Sequence, residues 1–187
     1  MTSTDAATRT WVRDPLGVPT APAAAGPTPA RGGPGGERGG RGERVAAGAQ
    51  PSAPVDETFD ASQHVLTPGL INTHHHFYQT LTRAWGPVAD APLFPWLQRL
   101  YPVWERLTPR AHARATTDGL AELRLSGCTT AADHHYVVPD GLDDAIDLQV
   151  AAVRRLGMRA TLTRGSMTLG QDDRGLRPQS VGQALES

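Results

Sequence analysis

Between residues 65 and 165, three short apolar runs alternate with two helical stretches that carry their own start and stop signals. That alternation limits the fold more than any other feature. Thr108 offers an N-cap hydroxyl and Pro109 suits the first helical position. The stretch should run to about Ser126, with Gly127 as its stop. A second helix is expected from about Leu142 to Leu156, ended by Gly157. The flanking runs are "HVLTPGLIN", "CTTAADHHYVV" and "MRATLTR". Strand, helix, strand, helix, strand at this spacing predicts parallel βαβ units. Right-handed crossovers then put the helices outside a twisted sheet or barrel. A further helix is expected in "PLFPWLQRLYPVWERL", where Leu93, Trp96, Leu97, Leu100, Val103, Trp104 and Leu107 recur at helical spacing. Pro102 should kink or divide it.

His74, His75 and His76 follow the first run, at the carboxyl end of a predicted parallel strand. Side chains alternate along a strand, so His74 and His76 should point one way and His75 the other. The pair would lie roughly 6.5 Å apart at Cα, and both rings could reach one ion at about 2.0–2.1 Å. An H-x-H by itself also describes a surface histidine cluster. At the carboxyl end of a parallel strand, where α/β barrels keep their chemistry, it points to a metal.

Composition splits the chain near residue 54. Residues 15–51 are dominated by Pro, Gly, Ala and Arg. They carry little apolar surface to offset the entropy of ordering, and are expected to be disordered or irregular. An RGG-like RNA-binding tail is the functional alternative to a solvated linker. Glu37 and Glu43 dilute the positive charge, and no aromatic residue stands between the arginines to stack on bases, which favours the linker. The net charge of -1 gives no field toward nucleic acid or anionic membrane. All 18 basic residues are arginine, a compositional bias without functional weight. Cys128 is the single cysteine, so no intrachain disulfide can form, and it reads as core packing. No apolar run approaches the ~20 residues of a membrane helix, and a cytoplasmic setting is expected.

The stretch "TPGLINTHHHFYQTLTRA" resembles the first barrel strand of the amidohydrolase superfamily, with its proline-glycine pair followed by H-x-H. The likeness continues through "LFPWLQRLYPVWERLTP", "LAELRLSGCTTAADHHYVVP" and "LGMRATLTRGSMTLGQDDRGLRP". It is strongest toward members that deaminate purine-like rings, near the chlorohydrolases and aminotriazine hydrolases. The resemblance implies a (β/α)8 TIM-like barrel with one divalent metal, usually Zn2+. It implies hydrolytic deamination of a heterocyclic amine such as 8-oxoguanine, with water as co-substrate. Hydrolysis of aminotriazines, or of other ring C–N or C–Cl bonds, is the alternative within enzymes. A non-catalytic fragment that binds metal weakly is the alternative outside them.

Carried over residue by residue, the resemblance makes His74 and His76 metal ligands. Gln79, three residues on, matches a glutamine that holds the purine ring, and a carboxamide offers a ring edge both donor and acceptor. Its other reading is an ordinary polar residue at a helix start. Asp133, His134 and Tyr136 match a second-strand D-H-x-Y, for which a structural role and substrate contact are the two readings, and Arg164, at the end of the third run, is given no role. His64 and His112 look incidental. Family members complete the site with later histidines, a proton-shuttling glutamate and an aspartate. After His135 the sequence has no histidine. The chain is therefore expected to be the first three βα units of a barrel over residues 55–187, with no catalytic proton-transfer residue of its own and no turnover alone. Residues 1–54 are expected to be an incomplete small β-domain interrupted by the Gly/Pro/Arg-rich segment, with a disturbed reading frame as the hypothesis for the interruption. A partial barrel leaves sheet edges open, which is compatible with association between copies.

Overall fold

The structure, a computed structural model, describes residues 9–17, 34–36, 42–44 and 50–165. The chain divides into two compact units, Met1–Gly69 and Leu70–Ser187.

In the first unit, β1 (Thr10–Arg13), β2 (Pro34–Gly36), β3 (Gly42–Arg44) and β4 (Glu57–Asp60) form a sheet in the order β3-β2-β1-β4. β1 and β4 are parallel, in register from Thr10 opposite Glu57 to Arg13 opposite Asp60. β2 is antiparallel to both β1 and β3. This corrects the expectation of an irregular segment over residues 15–51 at Pro34–Gly36 and Gly42–Arg44; residues 15–17 and 50–51 lie outside any strand. Sheet ladders are made by backbone groups, so glycine-rich stretches with no apolar face to bury can still pair, β2 against β1 and β3 against β2. The rest of the Gly/Pro/Arg-rich segment, and the expected disorder there, lies outside the described residues.

The second unit has the predicted β-α-β-α-β order. β5 (Leu70–Asn72), β6 (Cys128–His135) and β7 (Arg159–Arg164) form a parallel sheet in chain order. Pro68 cannot donate to a ladder, and β5 starts only at Leu70, whose N–H donates to the Gly127 carbonyl at 2.9 Å. α2 (Pro109–Leu125) begins as expected, with the Thr108 hydroxyl accepting from the Ala111 N–H at 3.2 Å. Gly127 follows it with φ +89°. α3 (Ala145–Leu156) ends on Gly157 in the left-handed region at φ +63°. α1 (Leu93–Trp104) is not divided by Pro102. The proline falls in the last turn, so the helix forfeits one bond close to where it ends.

α2 and α3 cover one face of this sheet. Phe77, Leu120, Cys128, Ala131, Ala152 and Met158 pack there as one core, with Cys128 buried as expected. A second cluster gathers Tyr78, Val88, Leu100, Tyr101, Trp104 and Val137 around α1. In β6 the helix-facing residues Ala131, Asp133 and His135 are buried, whereas Thr130, Ala132 and His134 on the opposite face are half-buried or exposed. No described helix is long and apolar enough to cross a membrane.

Candidate metal centre at the end of the first parallel strand

β5 stops at Asn72, and the three histidines form a short loop beyond its carboxyl end. Asn72 shapes this loop: its side-chain oxygen accepts from the His74 N–H at 3.1 Å. The chain then turns into a 3-10 segment, Phe77–Thr82. The rings of His74 and His76 lie edge to face with centroids 5.1 Å apart. His75 turns away from them and rests against Phe77, centroids 4.6 Å apart, on the α2 side. The division of the three histidines matches the alternation expected from the sequence, although they lie past the strand itself.

The neighbour of this loop is the end of β6. The His134 N–H donates to the His75 carbonyl at 2.9 Å. The His76 Nδ1 sits 2.7 Å from the His134 carbonyl. A carbonyl can only accept, so the proton is on Nδ1 and the Nε2 lone pair is left for a ligand. A backbone carbonyl in that role is the usual outer support of a metal-bound imidazole. Burial lowers the His76 pKa, with the His134 carbonyl acting the other way. The neutral ring, the form that binds metal, is thereby favoured. The donor set fits a divalent cation, supplying two imidazoles from one loop. Among the described residues no group of three or more His, Cys, Asp or Glu side chains converges.

Aromatic rings wall the pair. The His76 ring stacks on His134 at 5.6 Å and meets Tyr136 edge-on at 5.5 Å. Tyr78 lies behind, edge-on to His76, Trp104, His135 and Tyr136. Burial pushes the phenols of Tyr78 and Tyr101 up, so they act as hydrogen-bonding hydroxyls. The Tyr101 hydroxyl donates to that of Tyr136 at 3.3 Å. Gln79 is half-buried within the 3-10 segment, and its Nε2 donates to the Tyr78 hydroxyl at 3.2 Å.

Several residues have more structure around them than their sequence suggested. His112, which looked incidental, is fully buried; its Nε2 lies 3.1 Å from the Ala145 carbonyl. His135 is fully buried too, 4.7 Å from His112 between ring centroids, and burial pushes its pKa down to about 3. Asp133 accepts the Phe77 N–H on one carboxylate oxygen and the Gln149 amide on the other, both at 2.6 Å. Burial raises its pKa to about 6, while these two bonds oppose the shift. Arg164 has the strand parity of Ala160 and Leu162, and its charge acts on His135. His64 lies in the first unit, edge-on to Phe59.

Residues 65–185 match the family described as "Amidohydrolase family". The 8-oxoguanine deaminase of Pseudomonas aeruginosa is 58% identical over 181 residues, covering 96% of this chain and 39% of that protein. The match extends into the N-terminal 54 residues as well. A hydroxydechloroatrazine ethylaminohydrolase from Pseudomonas sp. (strain ADP) is 34% identical over 64% of this chain and 26% of its own length. In structure, an atrazine chlorohydrolase from Arthrobacter aurescens TC1, solved with zinc and atraton, superposes with a TM-score of 0.79. It is 25% identical, over 95% of this chain and 41% of that one. The chain thus spans less than half the length of each of these relatives.

Proposed function

Since the chain belongs to the amidohydrolase family, we propose that it forms the first three βα units of a (β/α)8 barrel whose activity is hydrolytic deamination of a purine-like heterocycle, 8-oxoguanine in particular. The first unit is then the small β-domain that accompanies the barrel. The observation that carries the reading is the loop geometry: His74 and His76 face each other with His76 Nε2 left free by the Nδ1 contact to His134. The 58% identity to an 8-oxoguanine deaminase directs the choice of substrate.

In this reading His74 and His76 hold one divalent cation, Zn2+ by preference, which supplies the Lewis acidity that activates water at neutral pH. His134 keeps His76 in the tautomer that can ligate. Tyr78, Tyr136 and the stacked His134 ring limit access of bulk water on one side. Gln79 orients the purine ring edge through its carboxamide. Asp133 is not the proton carrier, because both its oxygens are engaged on the helix-covered face. In this reading further ligands and a proton-moving carboxylate would belong to the part of the barrel outside the 39% of the deaminase that this chain matches.

A chimera tests the reading, with this chain replacing the matching part of the Pseudomonas aeruginosa deaminase. It should release ammonia from 8-oxoguanine in a zinc-dependent manner. His74→Ala or His76→Ala should lower kcat/KM by at least about a hundredfold, the scale of losing a metal-held catalytic group. A chimera that leaves 8-oxoguanine untouched but turns over an aminotriazine would move the substrate to the ring chemistry of the triazine relatives.

A further inference from the structure

We propose that Asp133 is a positioning residue for the metal-binding histidines, its carboxylate fixing the backbone immediately after His76. The inference rests on the reading of His74 and His76 as ligands.

The loop from His74 to His76 lies outside the β5 ladder, so strand pairing does not hold it. Three bonds from β6 do. Two are made by His134, one through its backbone N–H to the His75 carbonyl and one through its carbonyl to the His76 ring. The third is the Asp133 carboxylate, which accepts the Phe77 N–H at 2.6 Å. It is the one of the three in which β6 supplies a side chain, and so the one that a substitution can remove without touching an imidazole. A buried carboxylate is costly unless its oxygens are hydrogen-bonded, and Asp133 is only 1% exposed. Its second oxygen takes the Gln149 amide of α3 at 2.6 Å, and its own carbonyl takes the Thr163 hydroxyl of β7 at 3.0 Å. Asp133 is thereby tied to α3 and β7 and hands that rigidity to Phe77. Bonds to a charged acceptor are roughly twice as strong as neutral ones. Fixing Phe77 fixes the direction in which His76 leaves the loop, and with it the Nδ1 contact to His134.

The test compares the 187-residue chain with its Asp133→Ala and Asp133→Asn variants. One readout needs no metal: long-range proton–nitrogen NMR of the His76 ring reports which nitrogen is protonated. The wild type should show the Nδ1–H form, and Asp133→Ala a mixture of tautomers. The second readout is zinc affinity by chelator competition. Asp133→Ala should bind at least about tenfold more weakly, the range for outer-shell partners of a metal ligand. Asp133→Asn should retain most of the affinity. Its Oδ1 still accepts from Phe77, and Gln149 can turn its Oε1, which has no partner, to the new amide. If Asp133→Ala loses the far-UV signal of the fold, the wild-type Phe77 amide decides, because a bond into a buried carboxylate must slow its hydrogen exchange. Unchanged tautomer and zinc affinity in a folded Asp133→Ala chain, or a Phe77 amide that exchanges like an exposed one, would overturn the proposal. Failure of the wild type to bind zinc through His74 and His76 would instead remove the metal reading, and the metal-free tautomer would still report on Asp133.

Discussion

Gly119 marks where α2 passes closest to the histidine loop. A Cβ there would meet the Thr80 hydroxyl at 3.0 Å, Phe77 Cδ1 at 3.1 Å and His75 Cε1 at 3.4 Å. Gly119→Ala gains about 1 kcal/mol of helix propensity but overpacks a core, which costs about 1–3 kcal/mol. Phe77 is fully buried and cannot yield, so the clash should win and the urea midpoint should fall; a raised midpoint would contradict this contact. His135 gives a second residue-scale prediction. Its folded pKa, about 3, lies below its unfolded value near 6.5. As pH falls from 6.5 toward 3 the unfolded chain takes up the proton first, so stability present above pH 6.5 is lost in that window. His112, lowered by burial, adds to the loss. Asp133, raised to about 6, opposes it, because its folded form binds the proton first between about pH 4 and 6. His135→Phe should flatten the fall in urea midpoint between pH 7 and 5, and an unchanged slope would refute the assignment. Spacing alone separated His74 and His76 from His75. The bond from Phe77 to Asp133 spans 56 positions, and no local pattern announces a contact at that distance.

At the scale of elements, the capping signals were legible because they are local chemistry. Thr108 and Pro109 open α2, and Gly127 and Gly157 take the positive φ that a side chain would resist. Thr108→Ala removes the one side-chain cap of that helix and should lower stability by about 1 kcal/mol, measured as a shift in denaturation midpoint; no shift would mean that the Ala111 N–H finds another acceptor. Pro102 misled in the other direction, since its cost depends on how many turns follow it, and the helix ends at Trp104. The short strands Pro34–Gly36 and Gly42–Arg44 were illegible for a different reason. Composition reports what side chains can bury, whereas these strands pair through the backbone, Pro34–Gly36 against Thr10–Arg13 and Gly42–Arg44 against Pro34–Gly36.

At the scale of the molecule, the β-α-β-α-β order places the histidine loop at the carboxyl end of a parallel strand, on the face that the helices leave open. With His74 and His76 as the proposed ligands, and no group of three or more such side chains converging among the described residues, the loop is expected to hold metal less firmly than a zinc site with three or four protein ligands. The chain alone should therefore release no ammonia from 8-oxoguanine even in excess zinc; metal-dependent turnover abolished by His74→Ala would show a site completed by other means. The most direct test of the central claim is a zinc titration of the 187-residue chain followed by the ring resonances of its seven histidines. His74 and His76 should shift together and saturate together, and His75, His112 and His135 should stay in place. His76→Ala should abolish the response, and His75→Ala should leave it intact. Zinc that perturbs His75 or the buried pair first, or that leaves His74 and His76 unmoved at saturation, would contradict the assignment of this loop as the metal centre.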